Sequence, residues 1–269
     1  MILKTISAFA CLIALLGLTV QIPAQNKKEV RSKLFKQVLA DYPDVRECVE
    51  KEEGGARTAE ENMSVEEHDV NRDGVSEYEV SLAGPCACGM VNCMIHLYRK
   101  TPAGYELILE DASGFGLTLL KTSTRGYTDL RVDARDSAAT QAQSVYKFDG
   151  AKYREASARI VNVQTGESKP ASRRVQFRRG ASSATVQSRV SLELSDTWRV
   201  SARAGQVMTV EITSPRNAVK FMLMTSKTTV SLADNTRSWT GTLPETGDYL
   251  ILVESGDKPS TYSMTITIK

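Results

Sequence analysis

Histidine is scarce in this chain: His68 and His96 are the only two among 269 residues, and aromatic residues make up 6% of the total. There is no Gly-x-Ser-x-Gly elbow, no His-Glu-x-x-His pair and no glycine-rich phosphate loop. Acyl-transfer, zinc-hydrolase and nucleotide chemistry therefore lack their usual residue sets, and the chain reads as no enzyme. An excess of charge of one sign is missing too. Lys and Arg number 34 against 32 Asp and Glu, a net charge of +2. Such a balance points to neither a nucleic acid nor an anionic membrane as partner.

Long apolar runs are confined to the start. A basic n-region, Met1 to Lys4, precedes the apolar stretch Ile6 to Val20, then Ile22-Pro23-Ala24 and the polar Gln25-Asn26-Lys27-Lys28. This is the layout of a secretory signal peptide over 1–24 with a small residue at the cleavage point. The stretch is short for a bilayer span, which needs about 20 apolar residues. Cys11 lies inside it, the wrong place for a lipid-bearing cysteine. A periplasmic or secreted protein is expected, with no stable membrane span after signal cleavage.

Five cysteines are encoded, and Cys48, Cys86, Cys88 and Cys93 remain once Cys11 leaves with the leader. An even count in an oxidising compartment reads as two disulfides, and three pairings are possible. A direct Cys86–Cys88 ring is strained. One of that pair is expected to close onto Cys93 and the other to reach back to Cys48. A thiolate metal cluster is the competing reading, weakened by export and by the lack of a histidine at ligand spacing.

Periodicity divides the remainder. Val30, Leu34 and Val38 mark one face of a helix from Asn26 to Asp41, ended by Pro43, and a second short helix is expected over Asp44 to Glu50. Gly54 to Ser64 reads as a polar loop. From Val65 the pattern turns to short strands, the clearest being Asn92 to Arg99, with Ile95 and Leu97 on one face and Met94, His96 and Tyr98 on the other. Asp149-Gly150 signals a hairpin turn. The predicted fold is mainly β: an N-terminal α+β domain over 25–163 (a helix plus an antiparallel sheet), a polar linker over 164–174, and a β-sandwich over 175–269.

The most specific motif is Asp69-Val70-Asn71-Arg72-Asp73-Gly74-Val75-Ser76-Glu77. Oxygen ligands at Asp69, Asn71, Asp73 and Glu77, with the Val75 carbonyl, could wrap Ca2+, and Gly74 permits the sharp turn. Position 80 is Val where an EF-hand needs a bidentate Glu, and no helices are expected beside the loop, so an EF-hand is rejected. The stretch resembles the shorter FG-GAP loop of integrin-type propellers, which implies Ca2+ between two strands; Glu77 departs from the Asp that ends that loop. One copy of the motif makes a blade-like unit and not a propeller. The region from Val65 to Ala156 also resembles small exported bacterial proteins of unassigned role, through residues 73–78, the Cys86–Cys93 cluster and Phe148-Asp149-Gly150.

The last ninety or so residues carry Phe177-Arg178-Arg179-Gly180, Ala202-Arg203-Ala204-Gly205-Gln206-Val207 and Trp239-Thr240-Gly241-Thr242-Leu243-Pro244-Glu245-Thr246-Gly247-Asp248-Tyr249. They resemble bacterial pre-peptidase C-terminal (PPC-like) β-sandwich domains and the related periplasmic inhibitors of g-type and i-type lysozyme. The inhibitor resemblance implies an exposed Ser-Gly-x-Tyr loop that enters the lysozyme cleft, matched by Thr246, Gly247, Asp248 and Tyr249 with Thr in place of Ser. The PPC-like resemblance implies instead that Tyr249 packs inside. Lys169, Arg173, Arg174, Arg178 and Arg179 form a basic cluster that reads as a solvated linker edge or a contact for an anionic surface. Trp198 and Trp239 read as core residues rather than sugar platforms. The functional expectation is a non-enzymatic cell-envelope binding protein recognising a protein or glycan through the sandwich. A lysozyme inhibitor acting through Thr246–Tyr249 and a calcium-stabilised structural module are the alternatives.

Overall fold

A computed structural model of the chain describes residues 24–269. The expected leader up to residue 23, Cys11 included, lies outside the described residues. Three helices come first: α1 (Ala24–Asp41), α2 (Pro43–Lys51) and α3 (Gly55–Glu61). Leu34 and Val38 recur at the helical period and are completely buried. Pro43 opens α2, where the missing N–H costs nothing. The third helix replaces the polar loop expected over Gly54 to Ser64. It has no apolar face to announce it and buries no residue fully, although Ala59 packs on the core beneath.

Four antiparallel strands follow, β1 (Met63–His68), β2 (Glu77–Leu82), β3 (Cys93–Thr101) and β4 (Gly104–Gly114), in that order across one sheet. A second sheet holds β5 (Gly116–Thr124), β6 (Tyr127–Arg135), β7 (Thr140–Phe148), β8 (Tyr153–Asn162) and β9 (Ser168–Pro170), also in chain order. The alternation in β3 sets the layering. Tyr98 faces the helices with Leu34, Val38 and Val80, whereas Ile95 and Leu97 face the second sheet with Leu130, Val132, Phe148 and Tyr153. The first sheet is thus the middle layer between the helices and the second sheet: the expected α+β class, but with two sheets and two cores where a single sheet was expected. Chain passage between the sheets needs Gly114: a Cβ there would stand 2.4 Å from the Asp133 carbonyl.

Both disulfides form as one of the open alternatives. Cys48–Cys86 ties α2 to the loop after β2, and Cys88–Cys93 closes the hairpin leading into β3.

The remaining strands are β10 (Arg173–Arg174), β11 (Ser183–Val190), β12 (Asp196–Ala202), β13 (Val207–Thr213), β14 (Val219–Thr225), β15 (Ser231–Thr236), β16 (Ser238–Thr242), β17 (Gly247–Ser255) and β18 (Ser260–Ile268). They make two sheets, β10-β12-β17-β14-β15 and β11-β18-β13-β16, with only β10–β12 parallel. Val200, Val210, Leu223, Ile251 and Met264 fill the space between them. This is the expected β-sandwich.

The segment read as a linker is built into structure at both ends. β9 pairs with β8 and β10 pairs with β12, leaving Ala171 and Ser172 between them. Lys169 and Arg173 are not on a solvated edge, whereas Arg174 is exposed. Lys169 Nζ lies 2.8 Å and Arg173 Nη2 2.5 Å from the buried carboxylate of Asp196. Tyr262 donates to the same carboxylate at 2.6 Å, and Trp198 Nε1 donates to the Tyr262 hydroxyl at 2.7 Å. Burial pushes the Asp196 carboxyl up, but its bonds from Lys169, Tyr262 and Ser188 outweigh that and hold it below the usual range. The Arg173 guanidinium also covers the Trp198 ring at 4.1 Å. Trp198 is a core residue, and Trp239 packs partly buried on the same core.

Candidate functional site

The acidic turn is drawn together by its own hydrogen bonds, the Thr246–Tyr249 segment is divided between surface and core, and a third set of residues was missed. The acidic turn joins β1 to β2. Asp69 receives the N–H groups of Asp73 (3.2 Å) and Gly74 (3.1 Å), Asn71 Oδ1 receives Asp73 N–H (3.0 Å), and Asp73 receives Val75 N–H (2.7 Å). These bonds fold the loop back on itself, with Gly74 at φ 82°. Glu77 is buried, and one of its oxygens accepts Val70 N–H at 3.0 Å. Burial raises its pKa, and the charges of Asp73 and Asp69 add to the effect. The Asn71 amide donates to Asp73 at 2.8 Å and to Glu77 at 3.3 Å. The oxygen-rich donor set fits a hard cation such as Ca2+, with Asp69, Asn71, Asp73, Glu77 and the Val75 carbonyl as the available ligands. The Asn71 amide would have to turn away to admit one. The turn is backed by the second sheet: Thr128 N–H donates to the Val70 carbonyl, and Tyr127 OH accepts from Arg99 at 2.8 Å.

The Thr246–Tyr249 segment runs from the turn after β16 into β17. Tyr249 is fully buried in the sandwich core, and its hydroxyl donates to the Glu245 carbonyl at 2.6 Å while accepting Glu245 N–H at 3.2 Å. A tyrosine bonded to backbone just upstream pins a corner of a sandwich. The expectation of a tyrosine presented to a partner therefore fails: the ring is spent on the fold. Asp248 is held by both guanidinium nitrogens of Arg174, at 2.8 and 3.1 Å, and by Ser201. The Arg174 bond, with Ser201 and Arg199, keeps its carboxyl below the usual carboxylate range. Thr246 is exposed, and its Oγ1 accepts Ala204 N–H at 3.0 Å. Gly247 lies between them at the start of β17.

Beside this turn is an open basin of about 620 Å³, lined among others by Arg203, Gln206, Ser226 and Lys227. Arg203 and Lys227 are exposed, and among the described residues neither forms an ion pair. Their spacing in the sequence carries no signal, because β12, β14 and β17 bring them together only in the folded sheet. Arg178 and Arg179 are exposed, whereas Lys169, Arg173 and Arg174 are internally paired, so the basic cluster is not one surface.

No helix among the described residues is long and apolar enough to cross a membrane. No family model matches the chain, and no curated protein matches it. Solved structures do. A periplasmic lysozyme inhibitor of g-type lysozyme from Aeromonas hydrophila is similar at 26% identity and a TM-score of 0.33, over 36% of this chain and 94% of that one. The corresponding inhibitor from Salmonella Typhimurium gives 26% and 0.31, over 36% and 97%. The pre-peptidase C-terminal domain of a Bacillus anthracis collagenase gives 12% and 0.29, over 38% and 99%. These are the two kinds of sandwich that the C-terminal sequence resembles.

Proposed function

We propose that the chain is an exported, non-enzymatic binding or accessory protein of the cell envelope, acting in the periplasm or outside the cell. It recognises a protein through the sandwich end that carries Thr246, Gly247 and Asp248. One observation carries this reading: two exposed cations that form no ion pair among the described residues, Arg203 and Lys227, flank a turn whose own polar groups are already fixed. A rigid turn loses little entropy on docking, and the cations favour an acidic partner surface. A glycan would call for an open aromatic platform, and both tryptophans pack on the core.

A second reading keeps the same surface and names the partner. The cleft of a g-type or i-type lysozyme, as a glycosidase, would present carboxylates of the opposite charge. Thr246 with Arg203 and Lys227 would enter it, while Tyr249 holds the corner from inside. The experiment measures lysozyme inhibition and, in parallel, capture of envelope proteins by the purified chain. Inhibition relieved by the double charge reversal Arg203→Glu and Lys227→Glu supports the inhibitor. Capture of a partner lost in the double variant, without inhibition, supports the broader reading. Capture and inhibition both indifferent to the double variant refute both.

The acidic turn supports a separate role as a calcium-stabilised module, favoured by a fully buried Glu77 beside two further carboxylates. There a chelator lowers Tm, and Asp73→Ala removes that response. An unchanged Tm in chelator and in excess Ca2+ refutes it.

A further inference from the structure

We propose that Glu66, His68 and Glu79 form a binding site for a first-row divalent metal of the Zn2+ class. The three residues lie on the outer pair of strands in the middle layer, on the face turned away from the helices. Glu66 and His68 are two apart on β1 and so share a face, and Glu79 stands directly across from Glu66 on β2. Val65 and Val80, on the opposite face, pack toward the helices. The ligand atoms of the three side chains all lie within 4.8 Å of one another. His68 Nε2 is 2.7 Å from Glu79 Oε2, and these two side chains are only 17% and 12% exposed.

Charge supplies an observation independent of that spacing. Like charges directly opposed across two strands repel. Glu66 and Glu79 are opposed in this way, and no lysine or arginine offsets them: among the described residues Glu66 has no ion-pair partner and Glu79 has only His68. The two carboxylates bring two negative charges, which one divalent cation neutralises. One imidazole and two carboxylates suit Zn2+ and its neighbours better than Ca2+, which prefers oxygen alone. Ligand atoms around a tetrahedral Zn2+ sit about 3.3 Å apart, so small rotations of Glu66 and His68 close the set. β1 is the edge of its sheet, which leaves a side open for the ion to enter and for a fourth ligand. This site shares no residue with the acidic turn.

The test uses the untagged, purified chain and Zn2+ as the probe. Titration calorimetry should give one saturable site that millimolar Ca2+ does not displace. His68→Asn and Glu79→Gln should each weaken it roughly tenfold or more, since even residues behind a ligand are worth that much. The chain has two histidines, and His96 is buried. Imidazole NMR spectra should therefore show the His68 nitrogens moving with Zn2+ while those of His96 stay. No saturable binding, binding unchanged in both variants, displacement by Ca2+, or a stationary His68 signal would each overturn the proposal.

Discussion

His96 should make the folded chain lose stability in mild acid. It lies in β3, is 1% exposed, and packs against the Tyr42 ring, tilted by 36° at a centroid distance of 4.5 Å. Its Nδ1 is buried with no hydrogen-bond partner. Burial lowers its pKa from 6.5 to about 4. Above pH 6.5 the imidazole is neutral in both states and costs nothing. Between pH 6.5 and about 4 the unfolded chain takes up a proton that the folded chain refuses, so stability falls as pH falls through that window. Each pH unit removes up to about 1.4 kcal/mol, and the whole window about 3 kcal/mol. Urea unfolding at several pH values between 7 and 4 measures this, with His96→Phe as reference. The variant cannot ionise there, and its packing cost cancels because only the slope against pH is compared. Other carboxylates titrate in the same range but are common to both chains. Parallel profiles for the two chains would refute the reasoning.

Tyr249→Ala should cost about 3–5 kcal/mol in urea unfolding, while Tyr249→Phe, which loses only the bonds to Glu245, costs about 1 kcal/mol; equal effects would show that the ring is not the main contribution. Asp196→Ala leaves Lys169 and Arg173 without their carboxylate and should cost about 3 kcal/mol, reduced from a fully buried pair because both cations are partly exposed; a loss below about 1 kcal/mol counts against the hub. Removing Cys48–Cys86 should destabilise more than removing Cys88–Cys93, about 4 against about 2 kcal/mol from loop length alone, because the sequence separations are 38 and 5. Paired Cys→Ala variants compared at equal pH test the order.

Alternation made much of the fold legible. The facing of Ile95 and Leu97 against His96 and Tyr98 follows directly from a two-residue period, and the strands of the expected sandwich alternate in the same way, as Val219–Thr225 does with Val219, Phe221 and Leu223 buried. What escaped had no period to show. α3 lacks an apolar stripe, and β9 and β10 are too short to establish alternation. The bulge that places Glu110 and Asp111 opposite His96 leaves no mark, because Asp111 at φ 58° is neither a glycine nor an asparagine. At the candidate site the motif located the acidic turn but gave Tyr249 two opposite implications. Burial decides between them, and burial depends on strands far apart in the chain. The Arg203–Lys227 pairing is of the same kind.

The sheet order β11-β18-β13-β16 puts residues 260–268 in an interior lane although they are made late. Until they arrive, β11 and β13 have no common neighbour, and the half-built module shows bare backbone along two seams. A lesion that removes only this short piece would therefore split a sheet in two instead of fraying its rim. A chain threaded through a membrane from its front would spend its passage in that unsealed state, open to chaperones and to clumping alike.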